Sequence, residues 1–186
     1  MKTKVLFLHG VGSNGADLRP LAQYFRAALP DASFQSPDGP HPFEGGGIGR
    51  QWFSVAGVTE ANRPARVAAA RTGLDALIDA EPADRVILVG FSQGAIMALE
   101  ALARGKVAEV VAFAGRLAID GTLSPRPGAR ALLVGGTADQ VMPARLSSEA
   151  GERLGAAGVA AKVVILPGVP HTITAEGIAA AQDFLA

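Results

Sequence analysis

The feature that most constrains this chain is the alternation of two kinds of segment. Short continuous apolar runs occur at Val5–Leu8, Val86–Val89, Val110–Phe113, Ala131–Val134 and Val163–Leu166, with a weaker one at Ser33–Ser36. Between them lie longer segments rich in alanine and leucine, at Ala16–Leu29, Arg63–Ala80, Gln93–Arg104, Ala144–Ala157 and Ala175–Leu185. An unbroken run of Val, Ile and Leu suits a strand covered on both faces, as in a parallel sheet. Strand followed by helix, repeated along the chain, predicts an α/β fold with helices on both sides of that sheet. The chain has 186 residues and shows no internal repeat and no linker. One domain over residues 1–186, with about six mainly parallel strands, is therefore expected. Residues 37–57 stand apart, holding Pro37, Pro40, Pro42, Gly45, Gly46, Gly47 and Gly49. An irregular stretch of that length is uncommon inside a compact domain and is often functional.

Composition removes several function classes. At 49% hydrophobic and zero formal charge, the chain is not a disordered one. It has no cysteine, which excludes disulfides, thiolate metal sites and a cysteine nucleophile. Seventeen basic residues against seventeen acidic leave no electrostatic footprint for nucleic acid, and no polybasic patch faces a membrane. No apolar stretch approaches the ~18 residues of a membrane span. The run after Met-Lys-Thr-Lys is too short for the apolar centre of a signal peptide. These points predict a cytoplasmic protein without stable membrane insertion or a nucleic-acid partner.

Gly90-Phe91-Ser92-Gln93-Gly94 is a G-x-S-x-G motif. The pattern alone recurs by chance, and a serine there could simply cap a helix. Its setting is more specific, because a strand ends just before it and a helix begins just after. That is the strand–turn–helix context of a nucleophile elbow, where a strained serine needs small residues two positions to either side. A hydroxyl attacks only when a base takes its proton. The chain has three histidines, His9, His41 and His171. The elbow's chain order of serine, acid, histidine leaves only His171. Two acids follow strands between them: Asp139, just past Ala131–Val134 and a Gly135-Gly136 pair, and Asp120, farther from its strand. Asp139 is the preferred partner for holding one tautomer of His171, with Asp120 the alternative.

Backbone N–H groups must receive the oxyanion. Gln93, after the nucleophile, and Val11, in His9-Gly10-Val11-Gly12 after the first strand, are the candidates. The same segment, Gly10-Val11-Gly12-Ser13-Asn14-Gly15, also fits the dinucleotide pattern G-x-G-x-x-G, with Asp31 or Asp38 as the acidic partner. That reading leaves the elbow, Asp139 and His171 without a role. His9 and His41 read as structural and loop residues. Arg50 and Arg63 read as solvated, although either could meet an anionic group.

With those residues in place, the chain resembles the phospholipase/carboxylesterase family of α/β-hydrolases, which includes acyl-protein thioesterases. The likeness rests on Leu6-Phe7-Leu8-His9-Gly10, Gln51-Trp52-Phe53, the Ser92 elbow, Asp139 with Val141 and Pro143, and Gly168 with His171. It runs from about Val5 to the C-terminus and implies an α/β-hydrolase fold; the chain departs from larger members in being short, so a minimal version without a cap domain or their early edge strands is expected. The resemblance also implies a serine esterase or thioesterase acting through an acyl-enzyme, with no metal or cofactor. Ser92, Asp139 and His171 would be catalytic, Val11 and Gln93 the oxyanion donors, and Trp52 near the acyl pocket. Phe53 shares its segment, and core packing explains both aromatics equally well. The expected partner is a small ester or thioester of short to medium acyl length, or a lysophospholipid-like ester. Homodimerisation through apolar surface around an uncapped site stays open. Two other functions use the same residues: acyl transfer to an acceptor other than water, and a non-catalytic ligand-binding pseudo-hydrolase.

Overall fold

The computed structural model describes every residue except Glu81. The chain runs β1 (Thr3–Leu8), α1 (Gly15–Leu18), α2 (Ala22–Phe25), β2 (Ser33–Gln35), β3 (His41–Pro42), β4 (Arg50–Gln51), α3 (Arg63–Asp79) and β5 (Arg85–Phe91). It continues through α4 (Gln93–Ala103), β6 (Glu109–Phe113), β7 (Arg130–Gly136), α5 (Ala144–Ala156), β8 (Ala160–Leu166) and α6 (Ala175–Leu185). Six strands form one sheet in the order β2-β1-β5-β6-β7-β8, and every neighbouring pair is parallel. The short pair β3 and β4 is antiparallel and forms a separate two-stranded unit.

The continuous apolar runs are explained by two cores, one on each face, because successive side chains of a strand point opposite ways. Leu6, Leu8, Leu88, Val110 and Leu133 pack with Val67 and Leu74 of α3, the apolar residues of α4 from Ala95 to Ala103, and Leu154 of α5. Val5, Phe7, Ile87, Val111 and Leu132 pack on the other face with Leu18, Leu21, Phe25 and the α6 residues Ala181 and Leu185. Helix α4 is buried along its whole length, against β1, β5 and β6 below it and α3 beside it. That burial fixes the start of α4, and with it the residue immediately before, Ser92.

Three local expectations are revised. The helix expected over 16–29 is broken into α1, a 3₁₀ turn at Arg19–Leu21, and α2. Pro20 has no N–H to continue the ladder from Ala16, so the helix cannot run through. The run at Val163–Leu166 belongs to a longer strand at the sheet's edge, not to one covered on both faces, and Val163 is 36% exposed. The Pro/Gly-rich stretch is not wholly irregular, since β3 and β4 pair within it at His41↔Gln51 and Pro42↔Arg50.

Candidate active site

Ser92 sits where β5 turns into α4, at φ 52° and ψ −115°, a conformation that costs an L-residue energy and that the packing around it must hold. Two glycines make the turn sterically feasible. A Cβ on Gly90 would lie 2.5 Å from the backbone of Gly94 and Ala95, and one on Gly94 would lie 2.0 Å from the Leu8 carbonyl oxygen. Any larger residue would push α4 off β1. The Ser92 N–H donates to the Phe113 carbonyl at 3.0 Å, tying the elbow to the end of β6. The hydroxyl is left at the carboxyl edge of the sheet, where loops gather over the strand ends, and the residue is 5% exposed.

His171 and Asp139 reach that hydroxyl from the loops after β8 and β7. His171 Nε2 is 2.9 Å from Ser92 Oγ, and His171 Nδ1 is 2.7 Å from Asp139 Oδ2. The other Asp139 oxygen accepts the N–H groups of Val141 and Met142, both at 2.8 Å, so the buried carboxylate is held on both sides. The two loops are tied together. Ala138 N–H donates to Val169 O at 3.0 Å, Thr137 N–H to Leu166 O at 3.0 Å, and Gly168 N–H to Thr137 Oγ1 at 2.7 Å. The Phe91 ring rests on the imidazole, with centroids 4.9 Å apart. Asp120, the alternative acid, is exposed and lines a different cavity.

The loop after β1 is built around a buried histidine. His9 Nδ1 lies 2.7 Å from its neighbour's carbonyl, Gly10 O, and Nε2 accepts the Gly39 N–H at 2.8 Å. Nδ1 therefore carries the proton and the ring is neutral. Burial lowers its pKa below the ordinary 6.5, outweighing the Gly10 carbonyl and the nearby carboxylates that raise it. Trp52 Nε1 donates to the His9 carbonyl at 2.9 Å, and the indole packs beside the imidazole. Val11 follows this anchored residue. Among the described residues, neither the Val11 nor the Gln93 amide donates to another group of the chain.

Sequence reasoning placed only the backbone of Gln93 in the site and missed its side chain. Gln93 Oε1 accepts the Trp52 N–H at 2.7 Å, and Gln93 Nε2 donates to the Phe53 carbonyl at 2.8 Å. This fork clamps the segment after β4 to the first residue of α4. Trp52 and Phe53 are both buried core residues and both line a groove of about 740 Å³ with His41, Phe43, Arg66 and Ala70. Ser92 is not among the groove's lining residues. Arg50 donates to the carbonyls of Gly39 at 3.0 Å and Pro40 at 2.9 Å, so its charge serves the loop itself. In the dinucleotide-like turn, Asp38 accepts the Gly15 N–H at 2.8 Å, and the helix that follows is only four residues long. Among the described residues no cluster of His, Asp or Glu is arranged to hold a metal ion, and no helix is long and apolar enough to cross a membrane.

A serine on a strained strand–helix elbow, reached by a histidine and an acid from later strands of one parallel sheet, defines an α/β-hydrolase. The model of the phospholipase/carboxylesterase family matches residues 1–186, and the chain belongs to that family of carboxylesterases and thioesterases. It is 40% identical over 122 residues to the esterase YpfH of Escherichia coli, across 61% of this chain and 52% of that protein, so the matched stretch spans about half of that relative. It is 28% identical over 207 residues to acyl-protein thioesterase 1 of Neurospora crassa, across 97% of this chain and 84% of that one. The crystal structure of esterase PE8 superposes with a TM-score of 0.88 at 36% identity, covering 99% of this chain and 91% of that one.

Proposed function

We propose that the chain is a cytoplasmic serine hydrolase that cleaves small carboxylic esters or thioesters through an acyl-enzyme. The observation that carries this reading is the hydrogen-bonded line from Ser92 Oγ through His171 to Asp139, 2.9 and 2.7 Å long. Ser92 Oγ attacks the acyl carbon while His171 Nε2 takes its proton. Asp139 holds the Nδ1 proton and stabilises the imidazolium, as in other triads. The N–H groups of Val11 and Gln93 receive the oxyanion of the tetrahedral intermediate. The carbon–oxygen or carbon–sulfur bond to the leaving group then breaks, and His171 returns the proton to that group. A water, deprotonated by His171, attacks the acyl-enzyme and frees the acid and Ser92. Trp52 and Phe53 wall the groove that takes a short to medium acyl chain.

The test is hydrolysis of p-nitrophenyl esters from acetate to laurate by wild type and Ser92→Ala. Activity confined to the wild type, with both proteins folded, supports the mechanism, and the chain-length optimum sizes the groove. If no ester is cleaved and a fluorophosphonate fails to label Ser92, the hydrolase reading is lost.

A further inference from the structure

A second cavity lies on the carboxyl side of the sheet. It is polar, has a volume of about 240 Å³, and its charged lining is Glu60, Arg63, Arg116, Asp120, Glu149 and Arg153. Both walls are fixed to the first turn of α4. Arg116 follows Gly115, whose built Cβ would lie 2.6 Å from Ala95 Cβ, and β6 itself ends at the carbonyl that accepts the Ser92 N–H. Glu60 and Arg63 follow the segment that Gln93 clamps. The cavity is thus walled by the start of α3 and by the loop after β6, whose preceding segments both touch the first turn of α4.

The charges in it are distributed unevenly. Arg63 and Arg116 have side chains only 14% and 16% exposed, and both point at one carboxylate, Glu60, which is 73% exposed. Arg116 Nη1 meets Glu60 Oε1 at 2.9 Å, its Nη2 bonds Oε2, and Arg63 Nη1 meets Oε1 at 2.8 Å. Among the described residues, Arg116 Nε is buried with no acceptor. Arg153 is already committed, donating to the Ile119 carbonyl. Two sheltered guanidinium groups present a planar fork suited to a carboxylate. The carboxylate now in the fork stands mostly in water, where an ion pair is weak and easily exchanged.

We propose that Arg116 and Arg63 form an anion subsite for a carboxylate carried by the ester substrate, and that Glu60 fills it until the substrate displaces it. The substrates it favours are half-esters of short dicarboxylic acids. The inference rests on the hydrolase reading and adds a selectivity to it.

The experiment compares kcat/KM for the mono-p-nitrophenyl ester of succinic acid with that for p-nitrophenyl butyrate, its uncharged counterpart. The readout is the ratio of the two. Arg116→Gln is expected to lower the ratio about tenfold, the loss of one charge-assisted contact. Glu60→Gln, which keeps the side chain's size and a hydrogen-bonding oxygen, is expected to raise it several-fold. Arg19→Gln, an exposed arginine elsewhere, leaves it unchanged. A ratio that moves in neither variant, while both esters are cleaved, overturns the subsite and leaves the hydrolase intact. If neither ester is cleaved, hydrolysis itself fails and thermal stabilisation by succinate decides the subsite. Stabilisation larger in Glu60→Gln than in wild type and lost in Arg116→Gln upholds it, and its absence from all three overturns it.

Discussion

The two ends of the sheet are built on opposite principles. At the amino end, β5, β6 and β7 are joined by a charge network that satisfies itself. Arg85 grips both oxygens of Glu109 at 2.5 and 2.7 Å, and Arg130 donates to Glu109 Oε2 and to the Phe184 carbonyl, both at 2.8 Å. At the carboxyl end the backbone is strained instead. Among the described residues, Ser92 and Ala114, directly after β5 and β6, are the non-glycine positions with positive φ, at 52° and 49°. Strain of this kind persists only where the surroundings over-determine it, and here α4 supplies that constraint. Substitution at the amino end should therefore change stability alone, whereas substitution at the carboxyl end should reach the reaction.

The largest expected effect is on rate alone. Asp139→Asn can keep an oxygen for the N–H groups of Val141 and Met142 but offers His171 an N–H where an acceptor is needed. By analogy with other triads, kcat should fall about 10³–10⁴-fold, while the melting temperature holds. A large loss of stability in calorimetry would break the division. Gln93→Ala should affect both properties, because its fork leaves the Trp52 N–H and Phe53 carbonyl buried and unpaired. The stability cost is about 1–3 kcal/mol, read by urea unfolding, with kcat/KM falling about tenfold as the groove wall shifts. Glu109→Gln belongs to the other end. It should cost about 1–2 kcal/mol, since two partly sheltered arginines lose their counter-ion, and kcat/KM should not change.

The smallest effects are those of pH, and they separate the ends again. Burial alone would raise the pKa of Glu109, but the hydrogen bonds and charges of Arg85 and Arg130 outweigh it and hold the carboxyl below its ordinary 4.5. Its contribution is complete above that value and is lost as pH falls through the lower folded pKa. For His9, burial depresses the folded pKa below 6.5, so the unfolded chain binds the proton first. Stability from a neutral His9 is complete above 6.5 and declines as pH falls below it. Melting curves against pH should therefore show a shallow decline at the carboxyl end first and a second at the amino end below 4.5. His9→Gln should remove only the first. A wild-type melting temperature flat between 6.5 and 4.5 would contradict the assignment.

Much of this was legible in the chain because it depends on local pattern. Continuous apolar runs mark the central strands, and Gly90 and Gly94 mark the elbow through a steric rule about near neighbours. The elbow's chain order selects His171, and the Gly135-Gly136 turn directs attention to Asp139. What the sequence hid depends on contacts between distant segments. The Gln93 fork spans 41 residues to Trp52, and His9 reaches 30 residues to Gly39. A glutamine or histidine in such a role has no periodicity to betray it. The edge position of β8 was hidden for a related reason, because an apolar run reports propensity and not which neighbours cover it. Pro20 was visible, and the break it imposes between α1 and α2 follows from its missing N–H alone.

The bonds joining the loops after β7 and β8 have a mechanical consequence. Thr137, Ala138, Val169 and Gly168 lace those loops together on either side of the Asp139–His171 pair. Asp139 and His171 thus ride on one plate, bolted to β7 and β8, while Ser92 rides on another, bolted to α4. Any relative motion of the two plates would load the contact between them and spare the one within the first. The 2.7 Å contact inside the first plate should then outlast the 2.9 Å gap between the two, so warming disarms the serine before it loosens the histidine.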